Sequence, residues 1–165
     1  MDDGAKGERQ LVVFSLHGEH YGLPITSVRE IIRYVAPSAT AAARGVIQGM
    51  ISLRGRTLPI VDLSSRLGRS LEVGSQTRIL VLEIASGALG LIVDTVDGIL
   101  PIADDQIHAL PFTAADNGLG DEVAAVGDKL IVLIDPELAF GDVLPRKAAP
   151  ARRRKTSSAR PRSSS

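Results

Sequence analysis

Several short stretches of the chain alternate apolar and polar positions with a period of two, the pattern of strands that bury one face. Residues 45–63, GVIQGMISLRGRTLPIVDL, show it most plainly. Ile47, Ile51 and Leu53 alternate with Gln48, Met50, Ser52 and Arg54. Gly55 then supplies a reversal, and Leu58-Pro59-Ile60-Val61 runs back into Asp62. The pattern predicts a hairpin with an arginine at its tip, a surface suited to docking that carries almost nothing able to do chemistry.

The chain also nearly repeats itself. With a shift of 68, residues 14–32 lie over residues 82–100 without a gap: Gly22 meets Gly90, Leu23 meets Leu91, Val28 meets Val96 and Ile31 meets Ile99. With a shift of 73, Leu58-Pro59-Ile60-Val61-Asp62 lies over Ile131-Val132-Leu133-Ile134-Asp135. Each of these aspartates follows a strand and is placed to accept from the free N–H groups of a short helix, predicted at roughly 63–67 and 136–140. Pro136 occupies the favoured first helical position, and Glu137 sets a negative charge near the positive helix end. Each half holds about five short strands. The predicted fold is therefore mainly all-β: two pseudo-repeated small barrels or sandwiches, approximately 10–70 and 76–142 within one domain spanning 10–142, that share a core by packing together or exchanging strands. An elongated cleft between the lobes is expected as a binding site.

Composition narrows the function. Aromatic residues make up only 3% of the chain, so the core is built of Val, Ile, Leu and Ala. The absence of cysteine excludes disulfides, thiolate metal sites and a cysteine nucleophile. A net charge of zero hides two unlike parts: all 19 acidic residues precede Arg146, whereas eight of the 19 Lys and Arg lie at or after it. The body is thus acidic and the tail basic. Residues 146–165 contain no large apolar side chain, so a disordered basic tail is expected over 143–165, with a flexible N-terminus over 1–9. The opening MDDGAKGERQ has no apolar signal region and no run is long enough to span a bilayer, so a cytoplasmic protein without stable membrane insertion is expected.

Candidate chemistry is thin. His17, His20 and His108 are scattered, and the first two flank a hairpin tip where solvent exposure is the plain expectation. No metal site, cofactor site or catalytic residue is assigned. A carboxylate pair of Asp62 with Asp94 is conceivable, but nothing in the sequence brings the two together, and capping is the simpler role for Asp62. Gly118-Leu119-Gly120 lacks the lysine and the strand–helix setting of a phosphate loop and reads as a simple loop. Arg152, Arg153, Arg154 and Lys155 form a basic run that suits either a solvated extension or contact with a polyanion.

Several motifs in order carry a resemblance to a known family. They are Tyr21-Gly22-Leu23-Pro24-Ile25 with Val28 and Glu30-Ile31-Ile32, then Leu53-Arg54-Gly55 followed by Pro59-Ile60-Val61-Asp62-Leu63, then Ile92-Val93-Asp94 with Val96, and Gly127-Asp128-Lys129-Leu130. Together they resemble the CheW family of bacterial chemosensory adaptors over roughly residues 8–142. The resemblance implies two five-stranded SH3-like barrels and a non-enzymatic coupler. Its implied partners are the regulatory domain of a CheA-type histidine kinase and the cytoplasmic tip of a chemoreceptor, a methyl-accepting chemotaxis protein, with recruitment to membrane-bound receptor arrays. It places Val28, Glu30, Gly49 and Arg54 on the receptor or kinase side, with Met50 as an additional contact. Gly49 would let a partner approach closely. Ser52 stands where the family usually has Asn, residues 36–44 lack its usual aromatic lead, and the basic tail is extra. The alternative is a CheW-like paralogue whose tail directs it to nucleic acid or another polyanion instead of a receptor array.

Overall fold

The structure, a computed structural model, describes residues 7–39, 46–64, 67–110 and 118–144. Among the described residues eleven strands and one short α-helix run in order: β1 (Glu8–Leu16), β2 (Glu19–Pro24), β3 (Val28–Arg33), β4 (Ile47–Leu53), β5 (Arg56–Val61), β6 (Arg78–Ile84), β7 (Gly87–Val93), β8 (Thr95–Ala103), β9 (Ile107–Ala109), β10 (Glu122–Val126), β11 (Lys129–Leu133) and α1 (Pro136–Phe140). They form two sheets, ordered β8-β1-β2-β11-β10-β9 and β3-β6-β7-β5-β4.

Neither sheet corresponds to one half of the chain. The β1–β2 hairpin lies among strands of the second half, and the β6–β7 hairpin among strands of the first. The two arrangements are copies of each other. β3 pairs antiparallel with β6 as β8 pairs with β1, and β5 runs parallel to β7 as β11 runs parallel to β2. Even the irregularities repeat: the register slips past Arg29 in one sheet and past Asp97 in the other, positions 68 residues apart.

Burial explains the interleaving. β1 and β6 are apolar on both faces, which suits strands covered on both sides. Leu11 and Val13 point into one barrel with Ile102, Ala124, Ile131 and Leu133, and Ile79 and Val81 point into the other with Ile51, Leu58, Ile60 and Ile92. The alternate residues Val12, Phe14 and Leu16, and Leu80, Leu82 and Ile84, meet in a third and larger core with Leu23, Leu89, Leu91 and Phe140. Phe14 and Tyr21, directly opposite in the β1–β2 ladder, stack with ring centroids 5.8 Å apart. The matched glycines have one physical reason. A Cβ on Gly90 would meet Ile60 and Ile79 at 2.7 and 2.8 Å, and one on Gly22 would meet Leu11 and Ile131 at 3.1 and 3.2 Å, so each barrel interior is closed around a missing side chain.

Some bounds need correcting. The ordered body already includes Glu8 and Arg9, ahead of residue 10, because they pair with Ala103 and Ile102 and Arg9 bonds Glu122 at 2.9 Å. It also runs past residue 142, because Leu144 is buried in the main core; residues 145–165 lie outside the described residues. Of the helix expected near 63–67, residues 65–66 lie outside the described residues; Leu63-Ser64 and Leu67-Gly68 are turn residues, Asp62 accepts from the Ser64 N–H at 2.9 Å, and the Leu67 N–H donates to the Leu63 and Ser64 carbonyls at 3.1 and 3.0 Å. Its counterpart forms as expected, Asp135 accepting from Glu137 and Leu138 at 3.1 and 3.2 Å with Pro136 opening the helix. Between the sheets lies the main core, and one concavity of about 400 Å³ is found where β1 and β2 meet β10 and β11.

Candidate functional site

The β4–β5 hairpin turns on two residues, Arg54 and Gly55, both at positive φ, 50° and 80°. This is the type I′ geometry that matches the twist of the flanking strands. It demands left-handed backbone from an arginine, a conformation that side chains disfavour. The turn projects the guanidinium over β3, where it grips the Glu30 carboxylate with both nitrogens, Nη2 donating to Oε1 at 2.8 Å and Nη1 to Oε2. Arg54 nevertheless stays 67% exposed and Glu30 30% exposed. The hydrogen bonds from Arg54 hold the Glu30 carboxyl below its ordinary value, and Glu30 raises Arg54 further above its own. Beside them Glu83 accepts from Arg29 at 2.8 Å and lies 4.0 Å from Arg56. Arg29, Glu30, Arg54 and Arg56 with Leu53, Leu58 and Val81 line a depression of about 140 Å³. On an acidic body, three arginines around two glutamates make a locally basic, hydrogen-bonding spot with an apolar floor.

The second barrel shows what the fold alone requires. The position matching Arg54 in its hairpin is Gly127, at φ 60°, and the position matching Glu30 is Gly98. A two-residue hairpin and strand at the matching places are thus built without either charge, the turn there having positive φ at Gly127 alone, and an exposed pair of this kind contributes little to stability. The fold does not need the Arg54–Glu30 clamp.

The other sequence-derived positions divide. Val28 and Met50 are half-buried, and Val28 packs against the main core. Gly49 is buried, and a Cβ there would overlap the Ser38 carbonyl; Ser38 and Met50 exchange backbone hydrogen bonds at 2.8 and 3.0 Å. The close approach at Gly49 is made by the chain itself, which corrects the expectation that the glycine leaves room for a partner. Sequence reasoning passed over Ile31 and Ile99, matched by the repeat and exposed at 44% and 58% on β3 and β8. A large apolar residue outward at the same place in both copies was a readable signal.

His17 and His20 are half-buried rather than solvent-exposed. His17 Nε2 lies 2.8 Å from Ser64 Oγ, and its backbone N–H donates to Asp94 at 2.7 Å. The His20 ring lies 3.2 Å from both Ser15 and Asp97. Asp94 reaches the His17 backbone and not its ring, so no catalytic relay is formed. Asp62 is buried and accepts from the Ser64 N–H, the capping-type role expected of it. Among the described residues no group of three acids or histidines is placed to hold a metal, and no helix is long and apolar enough to cross a membrane. Arg152, Arg153, Arg154 and Lys155 lie outside the described residues.

Comparison with known proteins agrees with this architecture. The chain is 31% identical over 140 residues to a probable chemotaxis protein CheW of Rhizobium etli, covering 83% of this chain and 90% of that one. It is 33% identical over 137 residues to the chemotaxis protein CheW of Rhizobium meliloti, covering 81% and 88%. The crystal structure of the scaffolding protein TtCheW from Thermoanaerobacter tengcongensis superposes with a TM-score of 0.72 at 34% identity, covering 80% of this chain and 90% of that one. The CheW-like domain matches residues 10–143. With two interleaved SH3-like barrels and this match over most of its length, the chain belongs to the CheW-like domain family.

Proposed function

We propose that the protein is a non-enzymatic adaptor of chemosensory signalling that couples a chemoreceptor to a CheA-type histidine kinase at receptor arrays. The observation that carries this reading is the Arg54–Glu30 clamp: it is exposed, present in one barrel, and replaced by two glycines in the other. A charged pair that the fold can omit is one kept for contact. Arg54 keeps exposed N–H groups for a carboxylate or carbonyl of a partner, while Glu30 fixes the direction of the fork. Leu53 supplies apolar surface beneath it, with Leu58 and Val81 at the floor of the depression.

The mechanism is placement. The adaptor lowers the free energy of one arrangement of receptor and kinase relative to another. A receptor signal then passes only so far as the adaptor's contacts differ between receptor states. The test is reconstitution with receptor and kinase from the same genome. Arg54→Gly should keep the fold, because Gly127 already serves at the matching turn, and should shift Tm by less than about 4 °C. It should weaken receptor control of kinase activity while leaving kinase binding, measured by calorimetry, in place. Wild-type receptor control in that variant, or no kinase binding by the parent chain, rejects the reading.

A further inference from the structure

On the opposite end of β3 from the clamp's turn, the last rung of the β3–β6 ladder sets Arg33 directly against Arg78. Like charges at opposed ladder positions repel. Among the described residues neither guanidinium is paired with a carboxylate. The matching rung of the other sheet is Gln10 against Pro101, so the architecture builds this rung without charge.

The two arginines border a concavity of about 310 Å³ whose far side is the turn before β6. That turn is held tightly: the Gly74 N–H donates to Thr77 Oγ1 at 2.8 Å, and the Thr77 N–H returns to the Gly74 carbonyl at 3.2 Å. Arg78 Nη1 donates to the carbonyls of Ser75 and Thr77, both at 3.0 Å, which fixes its guanidinium while its other N–H groups have no protein acceptor among the described residues. Tyr34 and the exposed Val73 line the same hollow.

We infer that this hollow is an oxyanion site for a small phosphomonoester. Two guanidinium forks present a double positive charge that a phosphate dianion neutralises and a single carboxylate does not. The Tyr34 and Ser75 hydroxyls add neutral donors. Tyr34 and Val73 give the organic part of the ester an apolar wall, and the hollow has room for more than bare phosphate.

The test is titration of the full-length, isotope-labelled chain with phenyl phosphate, inorganic phosphate and benzoate, read from backbone amide shifts. Phenyl phosphate should give saturable shifts at Arg33, Tyr34, Gly74 and Ser75. Benzoate should bind at least about tenfold more weakly, the loss of one charge-assisted contact. Arg33→Gln, an exposed change at the end of a strand, should weaken phenyl phosphate by about the same factor, and Arg54→Gly should leave it unaltered. Equal affinity for inorganic phosphate supports the oxyanion site and assigns it to the free ion, whereas preference for the ester assigns it to an organic phosphate. No saturable shifts at these amides, affinity unchanged in Arg33→Gln, or shifts confined to residues 146–165 would overturn it.

Discussion

At the scale of single residues, the fold tolerates chemistry in some places and forbids it in others, and each place has a measurable signature. Glu30 is held ionised by Arg54, so its folded-state value lies below the unfolded one. Whatever the pair contributes is fully present above the ordinary carboxylate range and fades as pH falls through the lowered value. The Glu30 side-chain carbon shift should therefore titrate below the ordinary glutamate range in the parent chain and return to that range in Arg54→Gly. Identical curves would show that the pair does not form in solution. The barrel glycines give a graded expectation. Gly90→Ala, whose new methyl would press on Ile60 and Ile79, should lose about 1–3 kcal/mol in denaturant melts, and Gly22→Ala, with looser neighbours, should lose less. The reverse order would mean that the barrels relax differently from their packing. Much at this scale was legible: Gly22 and Gly90 marked each other through the repeat, and Arg54-Gly55 announced its turn. The partner of Arg54 was not, because Glu30 lies 24 residues away and only barrel closure brings it near. Nor was the reason for Gly49, which is set by a bulge and by the Ser38 backbone.

At the scale of elements, alternation and turn residues carried most of the information. The β4–β5 hairpin, the β10–β11 hairpin around Gly127-Asp128 and the capped helix α1 obey local rules. α1 is short, so its cap and its anchor matter. Asp135 bonds the first turn, and the Glu137 carboxylate reaches away to accept from the Ala85 N–H at 2.6 Å, tying the helix to the β6–β7 turn. Asp135→Ala should cost about 1 kcal/mol, read as a lower denaturation midpoint with unchanged slope. No change would mean that packing of Phe140 alone secures the helix. Asp62 offers the same capping signal as Asp135: it accepts from the Ser64 N–H, and the Leu67 N–H closes back on the Leu63 carbonyl, while residues 65–66 lie outside the described residues.

At the scale of the molecule, which hairpin joins which sheet is absent from period-two alternation, since that pattern fixes faces and not neighbours. The available clue was that residues 11–14 and 79–82 are apolar at every position, the mark of strands covered on both sides. Because those strands line a barrel with one face and the shared core with the other, the two barrels cannot melt separately. Leu82→Ala, in the shared core, should lower stability by about 2–5 kcal/mol while calorimetric and van't Hoff enthalpies stay equal in a single transition. Two resolved transitions would contradict the shared core. The interleaving has a further consequence. Neither copy holds a full set of staves for its own barrel, so a gene cut between the repeats would yield two pieces, neither able to close a wall alone.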